Sequence, residues 1–298
     1  MTYGHGLLFA SLAAVFWGIA PILNKRALSE MGLWKTNASR GSGVLVALVL
    51  MFFWASAETA GEFLSLSINS YLILLLIAFL NNMVGDVFYL SAIRDIGVSL
   101  AAPIASFFPL VVALISWFWF GEILTFSVLS GTLFVVTGLA LLNIRTAETR
   151  GANRSRYLRG VASAILTALC WALGLTLNKY LALEGVSSTA MVFWRGLFFS
   201  MMAIAFLPVV NRNAKEVRPA STGSILAAAS AGIAGMVIGT WFYVTSLFLI
   251  PMNVATPIAS SGPLISVVLA CTLMGENLRP IQWLGILFVV GGAISVSI

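Results

Sequence analysis

Charged residues are scarce in this sequence of 298 residues. Only 9% are Asp, Glu, Lys or Arg, whereas soluble domains carry roughly a quarter. Hydrophobic residues make up 60%, and the mean hydropathy is +1.02. The apolar runs continue over about 20 residues, as in membrane-spanning helices. The strands of a membrane β-barrel would instead alternate apolar and polar residues. We therefore predict an all-α integral membrane protein.

Histidine and cysteine are equally rare. The one histidine, His5, lies near the N-terminus. The two cysteines, Cys170 and Cys271, lie in apolar runs, where a thiol usually packs as a small hydrophobic side chain. Because these residues cannot assemble an ordinary metal site, we expect no metal and no cofactor.

Catalytic motifs are also missing. The sequence has no Gly-x-x-x-x-Gly-Lys-Ser/Thr loop, which argues against an ATP-driven pump. It has no Gly-x-Ser-x-Gly or His-x-x-x-His pattern and no paired acids in its apolar runs, so we predict that it is not an enzyme. The net charge of +6 arises from basic residues between apolar runs. It indicates membrane topology and no nucleic-acid partner.

An internal repeat organises the chain. Residues 103–110 return at 257–264, an offset of 154, with six of eight positions identical. The same offset relates Gly6 to Gly160, Trp17 to Trp171, Asn24-Lys25 to Asn178-Lys179, Gly85 to Gly239, Phe88-Tyr89 to Phe242-Tyr243, and Gly121-Glu122 to Gly275-Glu276. Arg40-Gly41 aligns with Arg195-Gly196 after a one-residue slip. Such self-similarity indicates a duplicated fold.

Apolar segments of spanning length predict ten helices, five in each half. They cover 6–28, 37–56, 70–93, 98–119 and 124–143, then 159–181, 188–208, 224–248, 253–273 and 280–298. We divide the chain into a first five-helix repeat (1–144), a basic linker (145–158) and a second five-helix repeat (159–298). Because five is odd, the second repeat is inverted in the membrane relative to the first, as in many secondary transporters.

Lysine and arginine concentrate in the loops that follow odd-numbered spans. The linker region alone holds Arg145, Arg150, Arg154, Arg156 and Arg159. The positive-inside rule therefore predicts that the linker is cytoplasmic and that both termini lie outside.

Two pairs of motifs are typical of a known family. Asn24-Lys25 and Asn178-Lys179 end the first helix of each half, and the proline-rich fourth helices run into Phe120-Gly121-Glu122 and Met274-Gly275-Glu276. With its ten spans, the chain resembles the EamA type of the drug/metabolite transporter superfamily. The resemblance implies ten helices around a central cavity that export small metabolites such as amino acids, usually against protons. Well-known ten-span members have cytoplasmic termini, whereas the charge pattern here predicts the reverse.

One acid stands well inside a predicted span. Placing such a charge in the membrane costs about 2.5 to 3.5 kcal/mol on insertion scales, so Asp86 is a functional candidate. Its repeat equivalent is Thr240, and Asn81, Asn82 and Tyr89 lie about a turn away. We predict proton coupling or amine binding at Asp86, beside these three cavity candidates. The alternative is a neutral Asp86 that is bonded to another helix or hydrated near the interface.

Matched aromatic residues stand near mid-span, although tryptophan prefers the interfaces. Trp17 and Trp171 occupy the first helix of each half, and Trp241 and Tyr243 lie on the eighth span. Two interpretations are open: they line a substrate cavity, where indoles stack on apolar or cationic groups, or they serve tight helix packing.

The duplicated prolines predict kinks, because proline removes a helical hydrogen bond. Pro103, Pro109, Pro257 and Pro263 are therefore candidates for a kink or gate. The nearby hydroxyls of Ser106, Ser260 and Ser261 either bond the freed backbone groups or face a ligand.

Five further charged residues have structural or functional interpretations. Lys179, like its counterpart Lys25, is expected to anchor a helix end at the headgroups. Glu122, like its counterpart Glu276, is expected to cap the N-terminus of the next helix. Arg195 lies deeper, where it either binds a substrate carboxylate or reaches the interface or another helix.

Together these features predict a secondary transporter that works by alternating access. We expect a proton-coupled exporter of small metabolites, with amino acids as the first candidates, in the bacterial inner membrane. The alternatives are a lipid-linked sugar flippase and a non-transporting membrane sensor or scaffold. The expected partners are a small-molecule substrate and membrane lipid, and the protein is either a monomer or a homodimer.

Overall fold

The computed structural model describes residues 2–54, 56–96, 98–143, 154–211, 220–274 and 278–298. Within these ranges the chain forms helices and no strand. The ten spans, numbered in chain order, are Tyr3–Glu30; Leu33–Trp54; Ile68–Ala78 continued by Phe79–Gly85 and Asp86–Ile96; Val98–Ala105 with Phe108–Phe120; Phe126–Asn143; Arg154–Leu183; Ser188–Asn211; Thr222–Gly232 continued by Ile233–Gly239 and Thr240–Ser246; Met252–Ala259 with Gly262–Met274; and Pro280–Ser297.

These helices confirm the predicted all-α, ten-span architecture. In the described ranges, nine stretches are long and apolar enough to cross a membrane, and a shorter apolar helix, Phe126–Leu142, supplies the tenth. Span 6 begins at Arg154, so the end of the predicted linker belongs to this helix. Arginine favours helix, and the Arg159 guanidinium is held 2.8 Å from Asp95 on span 3, which extends the helix beyond its apolar part.

A short helix that the hydropathy pattern did not predict, Ala57–Leu64, joins spans 2 and 3. It is anchored by Phe63, which is fully buried and stacks on Phe193 of span 7 with ring centroids 4.6 Å apart. Trp194 donates a hydrogen bond to the Phe63 carbonyl at 2.6 Å.

Spans 3 and 8 each contain a π-helical segment, Phe79–Gly85 and Ile233–Gly239, at positions related by the repeat offset. Each segment ends at a glycine that faces a tryptophan of the other repeat. A side chain at Gly85 would meet Trp171, and one at Gly239 would meet Trp17, at under 3 Å. The duplicated Trp and Gly therefore form one interlocking contact made twice across the repeat interface.

Spans 4 and 9 are each interrupted near their middle, at 106–107 and 260–261. Pro109 and Pro263 stand at the start of the helices that follow, where a missing N–H costs no bond. The Ser106 hydroxyl donates to the Ala102 carbonyl at 2.8 Å, and Ser260 donates to the Pro257 carbonyl at 2.8 Å. The Ser260 hydroxyl thus satisfies a carbonyl that the interruption releases, whereas the Ala102 carbonyl also keeps its bond from the Ser106 backbone N–H at 2.9 Å.

Spans 5 and 10 pack closely against each other through glycine. A Cβ atom added to Gly138 would lie 2.7 Å from the Gly285 carbonyl oxygen. Because apolar lipid gives no hydrophobic drive for helix association, such close backbone packing stabilises the pair. Large side chains such as Phe118, Phe126 and Leu287 face outward, where the membrane surrounds them.

Candidate functional site

A cavity of about 380 Å³ lies between the two repeats, within the range of small-molecule sites, roughly 300–1,000 Å³. Spans 1 to 9 contribute to its wall. Of the residues predicted from the sequence, it brings together Trp17, Asn81, Asn82, Asp86, Tyr89, Ser106, Trp171, Ser260 and Pro263. Arg40, Arg195 and Thr240 also line it.

The other predicted residues lie outside this lining. Tyr243 is fully buried behind Trp17, and its hydroxyl lies 2.9 Å from the Thr256 hydroxyl. Trp241 packs on Phe242 and donates to the Thr189 hydroxyl at 3.4 Å, so it belongs to the packing between helices. The Ser261 hydroxyl is used within its own helix, as donor to the Ile258 carbonyl at 2.7 Å. The remaining prolines, Pro103, Pro109 and Pro257, lie in or at the start of helices without lining the cavity.

Two tryptophans form opposing walls. Trp17 lies against Tyr243 with ring centroids 5.2 Å apart, and Trp171 lies against Tyr89 at 5.3 Å. The Trp17 indole donates to the Gly235 carbonyl, in the π-helical segment of span 8, at 3.1 Å. Each indole therefore packs against the other repeat and also borders the cavity.

An ion pair crosses from span 2 to span 3. Arg40 Nη1 lies 3.4 Å from Asp86 Oδ2 and donates to Asn37 Oδ1 at 2.8 Å. Asp86 is thus bonded to a neighbouring helix and also faces the cavity. Arg40 was not predicted to be a site residue, because it lies near the predicted end of a span. Its repeat equivalence to Arg195, which lies inside span 7, is the signal that could have identified it.

Arg195 of span 7 is the counterpart of Arg40, and it is 8% exposed. Its Nη1 atom has no hydrogen-bond partner among the residues that the structure describes. Thr240 stands where Asp86 stands in the first repeat, and its hydroxyl donates to the Gly235 carbonyl at 3.1 Å. Of the three interpretations left open for Arg195, the one in which it reaches the interface is excluded, since the side chain is buried beside the cavity.

The family of the chain follows from comparison with known proteins. Residues 4–144 and 158–298 each match the EamA-like transporter family. The chain belongs to the EamA-like transporter family.

Similar proteins agree with this assignment. A protein of Archaeoglobus fulgidus, named an uncharacterized transporter, is 23% identical over 212 residues, which cover 71% of each chain. Another uncharacterized transporter, from Clostridium kluyveri, is 24% identical over 160 residues, covering 53% of this chain and 49% of the relative. One crystal structure superposes with a TM-score of 0.78 at 18% identity, covering 97% of this chain and 95% of the other, and this likeness shows the fold.

In this EamA-like transporter, a polar cluster joins the repeats on the side of the membrane where the termini lie, which we call the terminal side. The Glu122 carboxylate accepts hydrogen bonds from the backbone N–H groups of Met252 and Asn253 at 2.8 and 3.0 Å. It also lies 3.6 Å from Lys179 Nζ, which donates to the Leu247 carbonyl at 2.7 Å. We call these groups the terminal-side latch.

The latch corrects two expectations. Glu122 caps a helix, but that helix is span 9 of the other repeat and not the next helix in the chain. Lys179 is 8% exposed and paired with Glu122, so it does not extend to the headgroups. The repeat counterpart Glu276 lies outside the described residues.

The opposite side, where the linker joins the repeats, has its own polar contacts. Asp95 of span 3 is bonded by Arg159 at 2.8 Å and lies 3.7 Å from Arg156. Glu30, at the end of span 1, accepts from the Ser221 N–H at 3.0 Å. Hydrogen bonds from Ser221 hold the pKa of Glu30 below its ordinary value.

The cavity is displaced toward the linker side. Asn24, Tyr89 and Leu139 line it from the linker-side halves of their spans, whereas their repeat equivalents in the terminal-side halves, Asn178, Tyr243 and Ala293, do not. The latch occupies the terminal side. In this conformation the terminal side is therefore closed, and the cavity extends toward the linker side.

Proposed function

We propose that this EamA-like transporter is a secondary transporter that carries small polar or amphipathic metabolites by alternating access, with amino acids as the first candidates. The observation that carries the proposal is a tryptophan-walled cavity between inverted repeats that holds the charged side chains of Arg40, Asp86 and Arg195 and is closed on the terminal side. The solute crosses unchanged in this proposal, and no enzymatic step is involved.

Alternating access requires the terminal side to open, and the latch specifies what must break. Glu122 holds the start of span 9, and Lys179 ties it to the end of span 6. Opening this side separates the carboxylate from two backbone donors and one ammonium group. The closed state is thus stabilised by a few strong, local bonds, which suits a switch between two arrangements.

Proton coupling is proposed to act through Asp86. Its carboxylate is the acid in the described cavity wall, and it is held by Arg40. A proton that neutralises Asp86 weakens this ion pair and changes the charge that the substrate meets. The occupancy of the site then depends on the proton gradient.

Location and direction follow from charge. The basic linker supports a cytoplasmic position for that side under the positive-inside rule, and in this proposal the cavity of this conformation is filled from the cytoplasm. We therefore propose export across a bacterial inner membrane. Oligomeric state, whether monomer or homodimer, does not enter the mechanism, because one chain encloses the cavity.

The test is flux in proteoliposomes made from the purified chain. Radiolabelled amino acids, nucleosides and polyamines are loaded, and efflux is followed with and without a pH gradient, while a fluorescent lipid reports scrambling in the same vesicles. The proposal expects saturable solute efflux that responds to the gradient. Lipid movement without flux of any solute would overturn it in favour of a flippase.

A further inference from the structure

The charges that line the cavity do not balance. Among the described lining residues, Arg40 and Arg195 carry guanidinium groups, and Asp86 carries the carboxylate. Arginine stays protonated under all ordinary conditions. One positive charge is therefore left over when Asp86 is ionised.

The repeat shows which arginine is left over. Asp86 lies 3.4 Å from Arg40 of its own repeat. The equivalent of this acid in the second repeat is Thr240, a neutral residue whose hydroxyl donates a hydrogen bond to the Gly235 carbonyl. Arg195 therefore faces the cavity without an acid at ion-pair distance such as Arg40 has, and its buried Nη1 atom, like Nε of Arg40, is unpartnered among described residues.

A buried cation without a counter-ion is strongly unfavourable, so a ligand that supplies the missing charge binds with a large electrostatic gain. We propose that Arg195 binds a carboxylate of the transported solute and that Asp86 is the internal counter-ion of Arg40. The proposal rests on the transport function proposed above and narrows its substrate to monocarboxylates.

The size of the charge excess favours a monoanion. A carboxylate matches a single guanidinium, whereas a doubly charged phosphate monoester would leave one negative charge uncompensated. An amine-bearing cation would enter a cavity that is already positive. Trp17 and Trp171 border the same space and suit an apolar substituent on the acid.

Binding by the purified full-length chain is measured by calorimetry and thermal shift with matched probes. The probes are phenylalanine, N-acetylphenylalanine and phenylalanine amide, together with the corresponding alanine and leucine compounds and phenyl phosphate. We expect N-acetyl amino acids, which are net anions, to bind best, free amino acids less tightly, and the amides not at all. Amides that bind as well as the acids, tighter binding of phenyl phosphate, or no binding of any carboxylate would overturn the proposal.

Variants at Arg195 test this charge balance through the affinity of the protein for carboxylates. Arg195→Gln lowers affinity for N-acetylphenylalanine by at least about tenfold, the effect of one charge-assisted hydrogen bond, while Arg195→Lys retains part of it. Arg154→Gln is the matched control, since Arg154 is an exposed arginine at the start of span 6 and does not line the cavity. Equal loss in the control, or none in Arg195→Gln, contradicts the assignment.

Three further variants leave both arginines in place, so that their outcome does not depend on whether the Arg195 variants fold. Thr240→Asp supplies the missing acid and weakens carboxylate binding. Asp86→Asn removes the counter-ion of Arg40 and strengthens carboxylate binding. The double variant Asp86→Thr with Thr240→Asp moves the acid to the other repeat and keeps the wild-type affinity. The same direction of change in both single variants would refute the charge argument.

Flux separates the two proposals. If proteoliposomes carry neutral or cationic solutes but no carboxylate, the monocarboxylate assignment fails and the transport function stands. If no solute moves at all, the transport function itself fails.

Discussion

The terminal-side latch gives the most direct control over the conformation of this transporter. Glu122→Gln keeps the shape of the side chain but removes its charge. A carboxylate accepts from both Met252 and Asn253, whereas the glutamine amide offers one acceptor oxygen and directs its NH₂ at the other backbone donor. The ion pair with Lys179 is lost as well.

The magnitude follows from these contacts. One hydrogen bond to a charged group contributes about 1.5–3 kcal/mol, and weakening the partly buried ion pair adds to this, so the closed state loses about 3 kcal/mol. Each 1.4 kcal/mol changes an equilibrium roughly tenfold, so the closed-to-open ratio falls by about a hundredfold. A protein that is closed at roughly 99 to 1 becomes about evenly divided between the two states.

Distances between spin labels measure this shift. In a background without Cys170 and Cys271, labels at Ile123 and Phe248, both exposed on the terminal side, report whether the ends of spans 4 and 8 separate. The Glu122→Gln variant should show a second, longer distance that wild type lacks. The matched control is Glu62→Gln, an exposed terminal-side carboxylate bonded by Ser187 at 2.9 Å. Unchanged distances in a folded Glu122→Gln variant, or the same change in the control, would refute the latch.

Three other variants test the packing, the coupling and the linker side. Gly138→Ala places a methyl group 2.7 Å from the Gly285 carbonyl oxygen and should cost about 1–3 kcal/mol of stability in detergent unfolding, while Gly291→Ala, which meets nothing within 4 Å, should cost none. Asp86→Asn should abolish gradient-driven accumulation and leave solute counterflow intact; accumulation at the wild-type level would remove Asp86 from coupling. Hydrogen bonds from Ser221 lower the pKa of Glu30 in the folded state, so its contribution to stability is present above the ordinary pKa of a glutamate and is lost on acidification through the lowered pKa. Glu30→Gln should therefore flatten the fall of melting temperature with acid, and an unchanged pH profile would contradict this.

Much of the fold could be predicted because its signals are local. Continuous apolar runs identified the spans, and the repeat offset set the two halves against each other. The π-helical segments at Phe79–Gly85 and Ile233–Gly239 could not be predicted, because they depend on where an indole of the other repeat needs space. Tertiary packing decides them, and no local propensity reports it.

The site was predicted less completely for a related reason. Asp86 was found because an acid inside an apolar run is conspicuous. Arg40 was missed because an arginine near the end of a span is ordinarily explained by the interface. Glu122 was predicted to cap a helix, but the chain alone does not reveal that the helix is span 9, 130 residues away.

Symmetry and asymmetry have different functions in this chain. The residues that both repeats keep at the interface, Trp17 with Gly239 and Trp171 with Gly85, make the same contact twice and hold the two halves together. A fully symmetric cavity would pair each arginine with an acid and leave no net charge to recognise a solute. Thr240, which stands where the first repeat has Asp86, leaves the charge unbalanced without disturbing those contacts, because the threonine bonds within its own helix. A duplicated scaffold can therefore be selective where its two copies differ. An acid that is present in only one copy leaves the arginine of the other copy with a charge that a solute can balance.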